Sequence, residues 1–259
     1  MTYFLTKIQW SFYYLLKVDI LGIKFVSILF VLSGAFVIFL NYLFWIRWKR
    51  DIRLLTGFYI AFHIGLLLSE PLYLGFLSLK GGLGEAIRAF FYGTTGPVWG
   101  SAFLLSFLYL FIFHKRKLPD TYDHLFPFFS LLYGIFHLLF FGLGWHYGRP
   151  TNLPWGVVFH PDTRAGAMYS RIPLHPLQIY NFIGSFILIP LSIFLLKRRK
   201  FEGEVSLWAI FYAGFTKTIE RLFFIENSEK PILFPVLSIL SIAVIIYYRM
   251  RIRKPPSFK

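Results

Sequence analysis

Seven side chains in this sequence join the chemistry of a cation, an acid or a proton carrier to positions inside or beside long apolar runs: His137, Arg149, His175, Gln178, Tyr180, Lys217 and Glu220. The planar guanidinium of Arg149 can grip a phosphate through two parallel hydrogen bonds. With Arg171, His175, Gln178 and Tyr180 close by in sequence, it outlines a cationic, hydrogen-bonding pocket suited to an anionic lipid headgroup. Lys217, Glu220 and Arg221 fall three and four apart, so Lys217 shares a helix face with both. That face reads either as a structural ion pair or as a headgroup site. His137, in GIFHLLFFGLG, is either a hydrogen-bonded core group or a proton carrier. Glu70, beside Pro71 in LLLSEPLYL, is a helix-end carboxylate or a functional group, because a charge at membrane depth is costly.

Other chemistries find little support. The chain has no cysteine, so disulfides, thiolate metal sites and a cysteine nucleophile are excluded, and any thiol must come from a partner. His146, His160 and His175 lack the spacing of zinc ligands, so no metal is expected. No glycine cluster stands in the strand-turn-helix context of a phosphate loop, and no cofactor is implied.

These residues must be positioned by membrane helices. Apolar residues make up 57% of the chain and aromatic residues 22%, with a mean hydropathy of +0.61. We expect an all-α polytopic membrane protein, a single domain over 1–259. Windows long enough to cross about 30 Å of hydrocarbon fall at 20–45, 54–76, 97–113, 126–145, 176–196, 205–225 and 232–248, which gives about seven spans. The formal charge of +15 does not point to nucleic acid, since the basic residues sit in short clusters beside apolar spans. Clusters at 47–53, 115–117, 197–200 and 249–259 all follow odd-numbered spans, which places that face in the cytoplasm, the C-terminus with it, and the N-terminus outside. Residues 1–19, amphipathic and aromatic, read as an interfacial helix. The polar stretch 145–175 then faces outward, and its WHYGRPTNLPWGVVFHPDTRAGAMYSRIPLH content suggests a folded, functional element.

The motifs resemble one family. YGRPTNLPWGVVF at 147–159 is similar to the YGRPTDLPWGVVF loop of the prolipoprotein diacylglyceryl transferases of bacterial inner membranes. RIPLHPLQIYNF resembles that family's RHPSQLYEA, keeping His175, Pro176, Gln178 and Tyr180 in register. YAGFTKTIERLF at 212–223 resembles YGxFRFxxExxR, matching Tyr212, Phe215 and Glu220. The resemblance implies transfer of a diacylglyceryl group from phosphatidylglycerol to the lipobox cysteine thiol of a lipoprotein precursor. It suggests Arg149, Lys217, Gln178 and Tyr180 as phospholipid ligands, and His137, His175 and Glu220 as catalytic groups. It also marks departures: the family's signature arginine is replaced by His137, its signature Asn or Cys by Phe140, the arginine of its FR pair by Thr216 and the glutamate of HPSQLYE by Asn181. A catalytically impaired, lipid-binding or lipoprotein-interacting relative is the alternative.

Overall fold

The computed structural model describes residues 2–20, 23–65, 98–221 and 233–253. Most of them are helical; the exceptions include one short antiparallel hairpin that pairs Asp19 with Lys24 and Ile20 with Ile23, and the irregular stretches 144–163 and 170–176. Among the described residues, four helical stretches are long and apolar enough to cross a bilayer: Phe25–Arg47, Leu105–Leu143, Leu177–Arg198 and Phe234–Arg251. Their windows are only 11% buried in the first and third cases, so the apolar side chains face outward, as a helix in lipid requires. Glu70 and the ends of the second and sixth expected spans lie outside the described residues.

The chain divides into two units. The smaller, Asn41–Thr121, contains the end of α2 (Phe25–Arg47), α3 (Ile52–Gly65) and α4 (Val98–His114). Polar groups tie α2 to α3 within it: Asn41 Nδ2 donates to the Tyr59 hydroxyl at 2.7 Å, and Tyr42 donates to Thr56 Oγ1 at 2.9 Å. Arg50 pairs with Asp120 through both guanidinium nitrogens.

The larger unit, Met1–Leu40 with Tyr122–Lys259, carries the site residues. It contains α1 (Thr2–Leu16), most of α2, α5 (Leu118–Leu143) from Tyr122 onward, the short α6 (Arg164–Tyr169), α7 (Leu177–Arg198), α8 (Glu204–Ile219) and α9 (Leu233–Arg253). Small residues let these helices come close. A Cβ on Gly134 of α5 would meet Ser185 Cβ of α7 at 3.0 Å, and one on Gly214 of α8 would lie 2.6 Å from the Phe234 carbonyl of α9, the close approach on which packing in lipid depends.

At one end of this unit, buried carboxylates fasten the α7–α8 turn. Asp123, with no exposed surface, accepts from Arg199 at 3.0 Å, from the amides of Gly203 and Ser206 at 2.8 Å each, and from the Ser206 hydroxyl at 2.8 Å. Glu204 pairs with Arg249 and accepts from the Lys200 amide at 2.5 Å. Each carboxylate thus has several charge-assisted donors, the condition under which burying it is tolerable. These contacts fix the base from which α7 and α8 extend to the site.

Candidate functional site

The stretch after α5 folds on a core of its own. Phe141, Val157, Phe159, Ala165 and Leu174 are buried together, with Leu5, Phe12, Tyr147, Tyr169 and Ile179 packed around them. Val157 and Leu174 exchange backbone hydrogen bonds at 2.9 Å each. The His175 amide donates to the Arg149 carbonyl at 3.1 Å, and the Gly148 amide to the His175 carbonyl at 2.9 Å. Arg149 and His175, 26 residues apart in sequence, are therefore held side by side through the backbone.

Helix α1 straps this element to the end of α5. Gln9 is fully buried; its Nε2 donates to the Gly142 carbonyl at 3.0 Å and its Oε1 accepts from the His160 amide at 3.0 Å. Trp10, Tyr13 and Tyr14 surround the His160 ring at 4.3–5.1 Å between centroids. Beyond the helix end, Lys17 pairs with Asp162 at 3.0 Å, and the bond holds the Asp162 carboxyl below its usual range. Gly144 allows the tight exit from α5: its φ is +65°, and a Cβ there would lie 2.6 Å from Thr163.

The expected site residues fall on two sides of α7. Gln178 and Tyr180 are two positions apart, about 200° around a helix, and their partners differ accordingly. Gln178 donates from Nε2 to the Trp145 carbonyl, and its Oε1 is buried without a hydrogen bond. Tyr180 accepts from Trp155 Nε1 at 2.7 Å and lies 3.2 Å from His175 Nδ1. Desolvation first, and the Arg149 charge second, hold His175 below the usual imidazole range. Arg149 is exposed. One side thus carries a Trp155–Tyr180–His175 relay beside Arg149.

On the other side, α5, α7 and α8 bring together Tyr133, His137, Asn181, Lys217 and Glu220. Lys217 and Glu220 form an ion pair, as their spacing allows. Asn181 Nδ2 reaches Glu220 Oε1 at 3.5 Å, and the Tyr133 hydroxyl donates to Asn181 Oδ1 at 3.4 Å. The Lys217 ammonium stands 5.8 Å from the centroid of the Tyr133 ring. The His137 ring is 4.3 Å from that of Tyr133 and 5.9 Å from that of His146. His137 is buried, and its Nδ1 has no hydrogen-bond partner. His146, at φ +55°, is held below its ordinary range by desolvation and then by the Lys217 charge.

Such an arrangement offers an ammonium, a carboxylate, a phenol and an unengaged imidazole nitrogen within a few ångströms, between apolar helices. A buried polar atom left without a partner costs free energy, so Nδ1 of His137 and Oε1 of Gln178 are marked as atoms that a ligand would satisfy.

Comparison with known proteins identifies the family. The family model described as prolipoprotein diacylglyceryl transferase matches residues 14–250. The chain belongs to the prolipoprotein diacylglyceryl transferase family. Among its relatives, the phosphatidylglycerol–prolipoprotein diacylglyceryl transferase of Photobacterium profundum is 30% identical over 172 residues, covering 63% of this chain and 55% of the relative. That of Finegoldia magna is 32% identical over 106 residues, 39% of this chain and 36% of the relative. That of Cupriavidus pinatubonensis is 39% identical over 71 residues, 27% and 24% respectively. The chain thus spans about half the length, or less, of the curated relatives it matches.

Within the family pattern, the geometry shows where the altered positions go. Thr216, at the place of the FR arginine, turns its hydroxyl back to the Tyr212 carbonyl at 2.8 Å and serves its own helix. The next residue, Lys217, faces the cluster instead. The helix widens into a π turn at Glu220–Arg221, a feature frequent at functional sites. Tyr133, Asn181, His146 and Trp155 went unassigned in the sequence reading. Spacing carried part of the signal: Tyr133 is one turn before His137, and Asn181 is three residues after Gln178. The Trp155–Tyr180 contact, by contrast, depends on the fold of the loop.

Proposed function

We propose that this protein is a phosphatidylglycerol–prolipoprotein diacylglyceryl transferase of the bacterial inner membrane, with seven crossings, the N-terminus and the 145–175 element outside and the C-terminus cytoplasmic. Family membership and the positive clusters support the reading. The carrying observation is the convergence of Lys217, Glu220, Tyr133 and His137, with an unengaged imidazole nitrogen, among apolar helices.

In the reaction the lipobox thiol loses its proton to a base, His137 or His175. Its sulfur attacks the glyceryl carbon that bears the phosphate ester. The C–S bond forms as the C–O bond breaks, and the electron pair leaves with glycerol phosphate. Lys217 holds the phosphodiester and stabilises the departing phosphate, with Glu220 and Gln178 orienting that side of the pocket, while Arg149 and Tyr180, on the other side of α7 beside His175, offer a second anion contact. The base raises the fraction of the nucleophilic thiolate.

The closure of Lys217 onto Glu220 favours a second reading, a lipid-binding or lipoprotein-interacting protein that transfers nothing, since that ammonium is already matched. One assay separates the two. Purified protein is incubated with labelled phosphatidylglycerol and a lipobox peptide beside an active family member. A thioether-linked diacylglyceryl peptide in the mass spectrum supports transfer. Retention of phosphatidylglycerol with unmodified peptide supports binding alone.

A further inference from the structure

Tyr133 has a hydroxyl proton that is only weakly engaged, while its oxygen meets the Lys217 ammonium. Its hydroxyl donates to Asn181 Oδ1 at 3.4 Å, well beyond the roughly 2.7–2.8 Å common for such bonds. The side chain is 40% exposed, so a ligand can reach it. Its position is nonetheless fixed. Gly134 lets α5 lie close to α7, where a Cβ would meet Ser185 Cβ at 3.0 Å; Ser185 ties its hydroxyl to the Asn181 carbonyl at 2.7 Å, and Asn181 Nδ2 donates to the Leu177 carbonyl at 2.9 Å.

Lys217 presents three donors. One is taken by Glu220, and the ammonium also lies over the Tyr133 ring. We infer that Tyr133 is a specificity-determining residue, whose hydroxyl donates to a phosphoryl oxygen jointly with Lys217 and fits the site to a singly charged glycerophospholipid diester. The inference rests on the reading of this cluster as the phospholipid site. Lys217 and Glu220 together carry no net charge, so a diester brings one uncompensated negative charge and a dianionic monoester brings two, which is the costlier in low dielectric. A diester carries one charge, and the neutral phenol adds a donor without adding another.

The test compares the unaltered protein with Tyr133→Phe, which keeps the ring against His137 and Lys217 and removes only the oxygen. Retention of phosphatidylglycerol, phosphatidic acid and inorganic phosphate is measured by native mass spectrometry or lipid-dependent thermal protection, and transfer to a lipobox peptide is measured in parallel. The unaltered protein is expected to prefer phosphatidylglycerol over phosphatidic acid and to ignore inorganic phosphate. Tyr133→Phe is expected to weaken phosphatidylglycerol binding about fivefold, the loss of one hydrogen bond, with an unchanged lipid-free melting midpoint. Equal binding by the two proteins, or a preference for phosphatidic acid or inorganic phosphate, overturns the inference. If the unaltered protein binds phosphatidylglycerol through Tyr133 but transfers nothing, the transferase reading falls and the inference stands.

Discussion

Replacing Lys217 by methionine removes a cation whose partner is nearly enclosed. The Glu220 side chain is 13% exposed and that of Lys217 is 30% exposed. Methionine keeps the length and the apolar stem, so the change is mainly one of charge. Among the described residues, Glu220 then keeps Asn181 Nδ2 at 3.5 Å, too long to replace an ammonium. Breaking a buried pair costs about 3–5 kcal/mol and an exposed one about 0–1 kcal/mol, so these exposures place Lys217→Met at about 2–3 kcal/mol. In a chain of this size that lowers the unfolding midpoint by roughly 4–12 °C. Glu220→Gln, which strands the ammonium instead, is expected to cost a similar amount. The double variant leaves no unpaired charge and is expected to melt above either single variant. The assay is thermal unfolding in one detergent, with and without phosphatidylglycerol. The lipid is expected to protect the unaltered protein and to protect neither variant lacking Lys217. A double variant whose loss equals the sum of the singles refutes the coupling of the pair. Full lipid protection of Lys217→Met refutes its role as a lipid ligand.

Two further outcomes follow from the loop and its histidines. His146 and His175 both have folded-state values below the ordinary 6.5, so their contribution to stability is complete above that value and is lost as pH falls through it toward the folded values; melting midpoints from pH 8 to 5 should decline, and less steeply in His175→Gln. Gly166→Ala places a Cβ 2.0 Å from the His160 carbonyl, a rigid backbone atom, so Gly166→Ala should unfold the 145–175 element and expose it to limited proteolysis, whereas Gly34→Ala, with nothing within 4 Å, should behave as the unaltered chain.

The sequence made the helical character legible because apolar runs of span length have few alternatives in a membrane protein, whereas Lys115–Lys117, expected to separate two spans, forms a 3-10 segment inside the helical stretch Leu105–Leu143. The folded character of the 145–175 stretch was legible for a similar reason: Trp, Phe and paired prolines are expensive to leave in a linker. What the sequence could not carry was the sorting of site residues around α7. Gln178 and Tyr180 share one motif, yet helical rotation sends them to opposite sides, so motif proximity and spatial proximity part company. The strap from α1 was hidden more deeply. Gln9 finds its partners 132–151 residues away, a contact that neither period nor motif encodes.

The altered family positions become coherent once the charges are considered together. The motif resemblance sets His137 against the signature arginine, Thr216 against the FR arginine and Asn181 against the HPSQLYE glutamate, so by that resemblance two cations and an anion are missing together. Had position 181 kept a carboxylate, its oxygen would sit where Asn181 now meets Glu220 at 3.5 Å, and two carboxylates would share the single Lys217. Like charges so close in a medium of low dielectric force one of them to stay protonated. The amide avoids this by donating to Glu220 and accepting from Tyr133. The cluster therefore keeps one balanced ion pair and fills the remaining polar positions with neutral groups, His137, Asn181 and Tyr133. On the proposed reading this cluster meets the phosphate at a low density of charge, which is why lipid affinity and transfer should be separable here by single substitutions.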